Sequence, residues 1–240
     1  MYPKVKTKPL HYAEEAVAFL CAADPTLAEI IAQVGPFRMM LRRGRFQVLV
    51  RAIIFQQLAG AAAQAIYQRF VGLFASRSFP TPEQVARVSE ERLRAVGLSR
   101  QKALYLKDLA ARVTSGTLDL TRLCVMDDEA IVEELIRVKG IGRWTAEMFL
   151  MFNLGRCDVL PVDDLGFRSA VVKAYRMERM PKASELRSLG ESWRPYRTVA
   201  VWYLWQSLKA KASVPRTGGT PVDGARRAKN ALKKSRQPLD

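Results

Sequence analysis

The sequence predicts an all-α protein. Three observations support this: apolar residues recur at intervals near 3.6 along most segments, Ser, Thr or Asp stands in front of many of these segments, and no period-2 run of useful length is found. With 240 residues, 49% of them hydrophobic, the chain is long enough to bury a core and suits one domain or two small lobes.

The first clear helix is expected behind Asp24, an N-cap residue followed by Pro25 at the first helical position. Its apolar spacing continues to Gly35, where the helix should end. Residues 46–70 form a long apolar segment rich in Ala and Gln, in which Gly60 is expected to break or bend the helix.

Short capped helices follow. Thr81 and Ser89 each stand in front of a helical segment, and Gly97 ends the second of these. Ser99 then caps RQKALYLKDLAARV, whose apolar residues fall largely on one stripe.

The second half of the sequence predicts four further helices. An acidic pair at 127–128 opens EAIVEELIRV, and its negative charge suits the helix dipole. Gly-Ile-Gly at 140–142 interrupts this segment, and RWTAEMFLMFNL follows at once. A second acidic pair, at 163–164, opens LGFRSAVVKAYR, and the last clear helix is expected over 196–209.

Charge and composition narrow the function. Lys and Arg exceed Asp and Glu by 39 to 23, so the net charge is +16, which favours a polyanionic partner. Three scattered cysteines and a single histidine, His11, argue against a disulfide framework, a zinc site, a four-Cys iron–sulfur cluster and Cys–His or Ser–His catalysis. Residues 213–240 are basic and poor in large apolar side chains, which predicts a disordered tail.

Targeting signals are not apparent. No run of about 18 apolar residues could span a bilayer, and the N-terminus lacks the apolar region of a signal peptide. We therefore expect no membrane partner, a monomeric protein, and a cytoplasmic, nucleoid-associated location of the prokaryotic type.

The stretch LIRVKGIGRWTAEMFL, residues 135–150, contains two helices joined by a glycine turn. Such a turn allows positive φ and close backbone approach, and the uncapped start of the second helix can bind a phosphate oxygen. The predicted DNA contacts are the turn glycines Gly140 and Gly142, the basic neighbours Lys139 and Arg143, and Thr145. Taken alone, the Gly-x-Gly pattern also fits an ordinary helix–helix turn.

Together with LPVDDLGFR, this stretch resembles the helix-hairpin-helix DNA glycosylase superfamily. The family pattern is a hairpin, a Gly/Pro-rich link and an essential Asp that opens the next helix. The resemblance implies that the catalytic carboxylate belongs to Asp164 rather than Asp163, because Asp164 directly precedes Leu-Gly and follows Trp144 by twenty positions. An isolated Asp here would otherwise be interpreted as a helix N-cap, and the two roles are compatible.

The chemistry expected of Asp164 is stabilisation of the positive charge that builds on the sugar as the N-glycosidic bond breaks. At about 4 Å and an effective dielectric near 20, this interaction reaches roughly 4 kcal/mol. The carboxylate could also orient or deprotonate the attacking water. Most glycosidases use two carboxyl groups, whereas one strong candidate is present here, which fits a base already made cationic by alkylation.

Within the superfamily, GIGRWTA and WRPYRTVAVWYLW (193–205) resemble the DNA-3-methyladenine glycosylase II group, and the resemblance covers roughly residues 15–210. Strand-cutting relatives have a nucleophilic lysine where this chain has Trp144, so hydrolysis without lyase activity is expected. The N-terminal β domain of that group is not expected, because helical sequence begins almost immediately.

The resemblance also implies a base pocket. Trp144 and Trp205 are placed in its wall, Met148 replaces an aromatic residue of some relatives, and Trp202 is a weaker candidate whose alternative is core packing. Aromatic rings suit an electron-poor alkylated base.

Two further features are implied by the match. FQQLAG, residues 55–60, occupies the family's wedge position, so Gln57 or Leu58 would enter the base stack, with interior packing as the alternative for Leu58. The main-chain oxygens of Ile136, Val138 and Ile141 would hold a monovalent cation, Na⁺ or K⁺. No other cofactor is expected.

These observations predict a glycosylase domain over 1–212, with a middle lobe at 45–155, a second lobe formed by 1–44 and 156–212, and the cleft between them. The leading hypothesis is a monofunctional DNA glycosylase that flips and excises alkylated purines from damaged double-stranded DNA. The alternatives are a glycosylase for uracil, hypoxanthine or oxidised guanine, and a non-catalytic DNA-binding hairpin module.

Overall fold

The computed structural model describes residues 10–74 and 78–210, and within these ranges the chain is helical without any β-strand, which confirms the all-α prediction. The predicted basic tail at 213–240 lies outside the described residues. The α-helices of the described ranges are α1 (Ala13–Ala23), α2 (Pro25–Val34), α3 (Arg45–Phe55), α4 (Gly60–Gly72), α5 (Pro82–Arg87), α6 (Glu90–Ala95), α7 (Arg100–Thr114), α8 (Asp128–Ile136), α9 (Arg143–Phe149), α10 (Leu165–Ala174), α11 (Ala183–Gly190) and α12 (Arg197–Ala210).

Most predicted helix starts are confirmed. Asp24, Ser89, Ser99 and Asp164 each accept a hydrogen bond from the backbone N–H three residues later. Thr81 forms a capping box with Gln84 in front of α5. These starts were predictable because each cap bonds within its own first turn.

The long apolar segment is broken rather than bent. α3 ends at Phe55 and α4 begins at Gly60, so residues 56–59 form a turn, which we call the wedge turn. Within it Gln57 has a φ of +54°, a left-handed conformation that is unfavourable for a residue with a side chain. The predicted break near Gly60 is therefore confirmed, with strained backbone at its tip.

Some elements have no counterpart in the sequence prediction. Among them are α11, two short 3₁₀ turns at Arg122–Val125 and Glu191–Trp193, and a π-helical turn over Leu150–Leu154 that continues α9. π-Helical turns are rare and occur frequently at functional sites. Here the turn displays Phe152 beside Trp205, with the two rings stacked at 6.0 Å between centroids.

The helices pack in two groups. In one, α3 contacts α4, α7 and α9, and in the other α12 contacts α1, α2 and α10. A single core of buried apolar side chains runs through both groups. Within the described ranges no helix combines the length and apolar character needed to cross a membrane.

Candidate active site

Asp164 is the N-cap of α10, and its carboxylate accepts three N–H donors. Oδ1 accepts the Phe167 N–H at 2.6 Å and the Trp205 indole N–H at 2.9 Å. Oδ2 accepts the Trp144 indole N–H at 2.8 Å. Three donors directed at one half-buried carboxylate stabilise its negative charge and fix its orientation.

The glycine that follows Asp164 by two positions is closely packed against the carboxylate. A Cβ added at Gly166 would lie 3.1 Å from Asp164 Oδ1 and 3.4 Å from Trp205 Nε1. A larger residue would therefore crowd the bond between this indole and the carboxylate. This contact gives a physical reason for glycine in the Asp-Leu-Gly sequence.

A cavity of about 560 Å³ lies beside the Trp144–Asp164 pair. Its volume is in the range of small-molecule sites. Asp164 does not line this cavity. Its carboxylate is hydrogen-bonded to Trp144, which does line the cavity and is 45% exposed. The side chains that line the cavity are Arg42, Arg51, Ala52, Phe55, Gln56, Gln57, Trp144, Thr145, Met148 and Phe152.

Six of these lining residues were not predicted from the sequence, among them Arg42, Arg51, Phe55 and Phe152. The guanidinium of Arg51 lies over the Phe55 ring, 3.6 Å from its centroid. The backbone of Arg42 is tied to the π-helical turn, since Arg42 N–H donates to Phe152 O and Asn153 Nδ2 donates to Arg42 O, both at 2.7 Å. An Arg and an aromatic residue four positions apart on α3 were a usable signal for the first pair.

The four residues predicted for the base pocket have different positions. Trp144 and Met148 line the cavity, whereas Trp205 lies behind Phe152 and contacts Asp164. The structure corrects the placement of Trp202: it is 9% exposed and packs edge-on against Phe37 and Tyr203 in the core. From the sequence, a tryptophan on α12 can face either the cavity or the core, and the packing of α12 places Trp202 in the core.

The hairpin turn is narrow at Gly140, which has a φ of +82°. A Cβ at this position would lie 2.1 Å from the Tyr105 ring, so no side chain fits. The Ile141 N–H donates to Val138 O at 3.0 Å and closes the turn. Gly142 is exposed and starts α9 without a side-chain cap.

Two predicted DNA contacts are engaged elsewhere. Arg143 forms an exposed ion pair with Glu129, with 3.0 Å between Nη1 and Oε2. Thr145 is buried and lines the cavity instead of the hairpin surface. Lys139 is exposed, and its own N–H donates to Asp108 at 2.9 Å.

The wedge turn exposes both predicted wedge residues, Gln57 and Leu58. Leu58 is 39% exposed, so the alternative that it packs in the interior is wrong. Gln57 also lines the cavity. The side chain at the tip of the turn therefore borders the space that a flipped base would enter.

A second cavity of about 840 Å³, lined mainly by acidic side chains and arginines, does not include Asp164. Glu147 of α9 lies in its wall, is 8% exposed, and its Oε2 has no hydrogen-bond partner. Burial raises the pKa of Glu147 to about 7, although Arg143 and Arg187 oppose this rise. Asp163 and Glu129 raise the pKa further.

A hairpin closed by glycine against Tyr105, followed by a carboxylate beside an aromatic cavity, defines the class of helix-hairpin-helix DNA glycosylases. The sequence model of the HhH-GPD superfamily of base excision DNA repair proteins matches residues 50–195. The chain belongs to this superfamily.

Individual relatives agree with this assignment. The chain is 36% identical over 184 residues to DNA-3-methyladenine glycosylase 1 of Schizosaccharomyces pombe, covering 76% of this chain and 81% of the relative. A crystal structure of DNA-3-methyladenine glycosidase from Bacillus halodurans superposes with a TM-score of 0.77 at 37% identity, covering 86% and 94% of the two chains. The structure of S. pombe 3-methyladenine DNA glycosylase (Mag1) in complex with abasic DNA gives a TM-score of 0.73 at 36% identity, covering 81% and 97%.

Proposed function

We propose that this protein is a monofunctional DNA glycosylase that hydrolyses the N-glycosidic bond of alkylated purines of the 3-methyladenine and 7-methylguanine type in base-excision repair. The observation that carries the proposal is the carboxylate of Asp164 held by Trp144 at the edge of the aromatic cavity. The names of the relatives reported above, which are 3-methyladenine glycosylases or glycosidases, support the same activity.

Asp164 acts on the sugar. As the bond to the base breaks, positive charge develops on the deoxyribose, and a carboxylate about 4 Å away stabilises it by up to roughly 4 kcal/mol. This corresponds to a rate gain on the order of a thousandfold. The same carboxylate orients the attacking water and accepts its proton.

The leaving base needs no general acid to protonate it. Among the described residues that line the 560 Å³ cavity there is no carboxylate, and Asp164 lies next to it behind Trp144. An alkylated purine is already cationic in the nucleoside, so it leaves as a neutral base without protonation. The rings of Trp144 and Phe152 supply faces on which it stacks, at ~1–3 kcal/mol per stacked base.

The substrate is damaged double-stranded DNA, bound by a monomer. The exposed Lys139 and the turn glycines Gly140 and Gly142 approach a phosphate at the hairpin. Gln57 or Leu58 fills the gap that the flipped base leaves in the stack. These contacts read no sequence, which suits an enzyme that must search all DNA.

A monovalent cation fits the hairpin. In the described part of the chain the carbonyls of Ile136 and Ile141 accept no N–H from the loop backbone, while Val138 O accepts one and retains a second lone pair. These three oxygens would hold Na⁺ or K⁺. A bound cation would add positive charge next to the phosphate.

The test is mass-spectrometric identification of the bases released from methylated DNA. Wild-type protein is expected to release 3-methyladenine or 7-methylguanine, and Asp164→Asn to lose release by about a thousandfold while still binding DNA. Release of uracil, hypoxanthine or oxidised guanine instead would support another glycosylase. Salt-sensitive DNA binding without any release would indicate a binding module.

A further inference from the structure

Three side chains on one side of α7 hold the two elements that are proposed to touch DNA. Lys102 contacts the wedge turn, Tyr105 packs against Gly140 of the hairpin, and Asp108 accepts the Lys139 N–H. They follow one another at intervals of three residues, so they lie on successive turns of the helix. α7 therefore joins the wedge turn to the hairpin as a brace.

Lys102 makes the contacts at the wedge end. Its Nζ donates to Ile54 O at 2.8 Å and to Gln56 O at 2.6 Å. The Ile54 carbonyl belongs to the last turn of α3, where helical partners run out and the helix dipole is negative, and the Gln56 carbonyl belongs to the wedge turn itself. A single ammonium group thus joins the end of α3 to the residue that precedes the tip of the turn.

The strained backbone at Gln57 requires such support. A non-glycine residue with φ of +54° persists only where its surroundings determine the conformation. Lys102 binds the carbonyl of the preceding residue, Gln56. The Gln56 side chain in turn donates from Nε2 to Gly140 O at 2.7 Å, which ties the turn directly to the hairpin.

We propose that Lys102 is a positioning residue for base flipping: it fixes the wedge turn at a set distance from the phosphate-binding hairpin. This inference rests on the proposed function. When the hairpin binds the DNA backbone, a rigid α7 holds the wedge turn in place, so that the wedge residue enters the base stack. If the wedge turn were mobile, the DNA could bind at the hairpin while the wedge residue was displaced from the stack.

The chain contains a matched control. Lys107, on the same helix, also donates from Nζ to two carbonyls at a helix end, Ala86 O and, at 2.7 Å, Val88 O of the α5 terminus. Neither carbonyl belongs to the wedge turn or the hairpin. Lys107→Met therefore removes the same kind of contact without touching the proposed brace.

The experiment compares a duplex that carries one alkylated purine beside 2-aminopurine with the same strand lacking its complement. Base release is measured under single-turnover conditions, and 2-aminopurine fluorescence reports unstacking. Lys102→Met is expected to slow duplex release by about tenfold and to lower the fluorescence rise, while release from the single strand changes by less than about threefold. Lys107→Met is expected to keep the wild-type ratio of the duplex release rate to the single-strand release rate. Lys102→Arg is expected to restore most of that ratio.

Equal losses on both substrates, or no loss on either, would overturn the positioning role. If Lys102→Met does not fold, Asp108→Ala provides the same comparison from the hairpin end of the brace, since it removes the bond to the Lys139 N–H, and an unchanged ratio there overturns the proposal as well. Wild-type protein that releases no alkylated purine from either substrate contradicts the proposed function instead. The fluorescence rise of wild type and variant then still decides the role of Lys102.

Discussion

The indole N–H of Trp144 donates to Oδ2 of Asp164 at 2.8 Å, although the two residues are twenty positions apart. Trp144 belongs to the helix that follows the hairpin, and Asp164 starts α10. The contact joins the helix after the hairpin to the carboxylate that we propose as catalytic. A tryptophan at this position therefore orients the carboxylate and also forms part of the cavity wall.

Trp144→Phe keeps a ring in the cavity but removes the donor to Oδ2. Because hydrogen bonds to charged groups contribute about 1.5–3 kcal/mol, we expect the single-turnover rate of base release to fall by about tenfold or more. Affinity for duplex DNA should change by less than about threefold, since the hairpin is untouched. A variant with wild-type rate would show that the indole does not orient Asp164.

Trp202→Phe should lower the stability of the protein and leave the rate of base release unchanged. Trp202 is buried against Phe37 and Tyr203, so the smaller ring leaves a core cavity and costs about 1–3 kcal/mol of unfolding free energy. Chemical denaturation measures this loss. Base release well below the melting temperature should stay at the wild-type rate, and a selective loss of release would return Trp202 to the base pocket.

Borohydride should trap no covalent complex between the protein and DNA. A Schiff base needs an amine at the sugar, and the side chains that donate to Asp164 are the indoles of Trp144 and Trp205. No lysine lines the cavity, and the Lys102 ammonium is engaged by Ile54 O and Gln56 O. Gel electrophoresis after borohydride treatment makes the test, and efficient trapping would show that another amine does the chemistry.

Glu147→Gln should stabilise the protein at alkaline pH. Since burial raises the pKa of Glu147 from 4.5 to about 7, the wild type loses stability as pH rises from about 4.5 through 7, by up to about 3 kcal/mol above that range. Glutamine carries no charge, so its advantage should be full at pH 8 and small at pH 4. Urea denaturation at both values measures it.

Glu185→Gln is the control of opposite sign. Arg179 and the Lys182 N–H lower the pKa of Glu185 to about 2, so its carboxylate contributes stability above about pH 4.5 that is lost as pH falls towards 2. Its removal should weaken the fold at pH 8. Equal effects of the two variants would contradict the burial of Glu147.

Asp24→Asn should be strongly destabilising. The buried carboxylate accepts the Leu27 N–H, the Tyr175 hydroxyl and the Trp193 indole N–H, and an amide cannot accept all three. We expect a loss of about 2–4 kcal/mol, compared with about 1 kcal/mol for removal of the exposed cap in Ser99→Ala. A loss no larger than that of Ser99→Ala would show that the network around Asp24 contributes little.

Local chemistry explains what was predictable. Asp24, Ser99 and Asp164 cap helices through bonds that span three residues, and the hairpin glycines follow from the backbone of a tight turn. Resemblance to the glycosylases added the role of Asp164. Neither source revealed Arg42, Arg51 or the π-helical turn at the cavity.

The sequence by itself determined the helical class, the capped helix starts, the hairpin and the acidic residue at the start of α10, because these depend on neighbours within one or two turns. Only the tertiary structure decided that Trp202 packs in the core while Trp144 meets Asp164, that Arg143 pairs with Glu129, and that α7 joins the wedge turn to the hairpin. These contacts bring together residues far apart in the chain. They depend on which face each helix buries, and a helical pattern with apolar residues on several sides leaves that choice to packing.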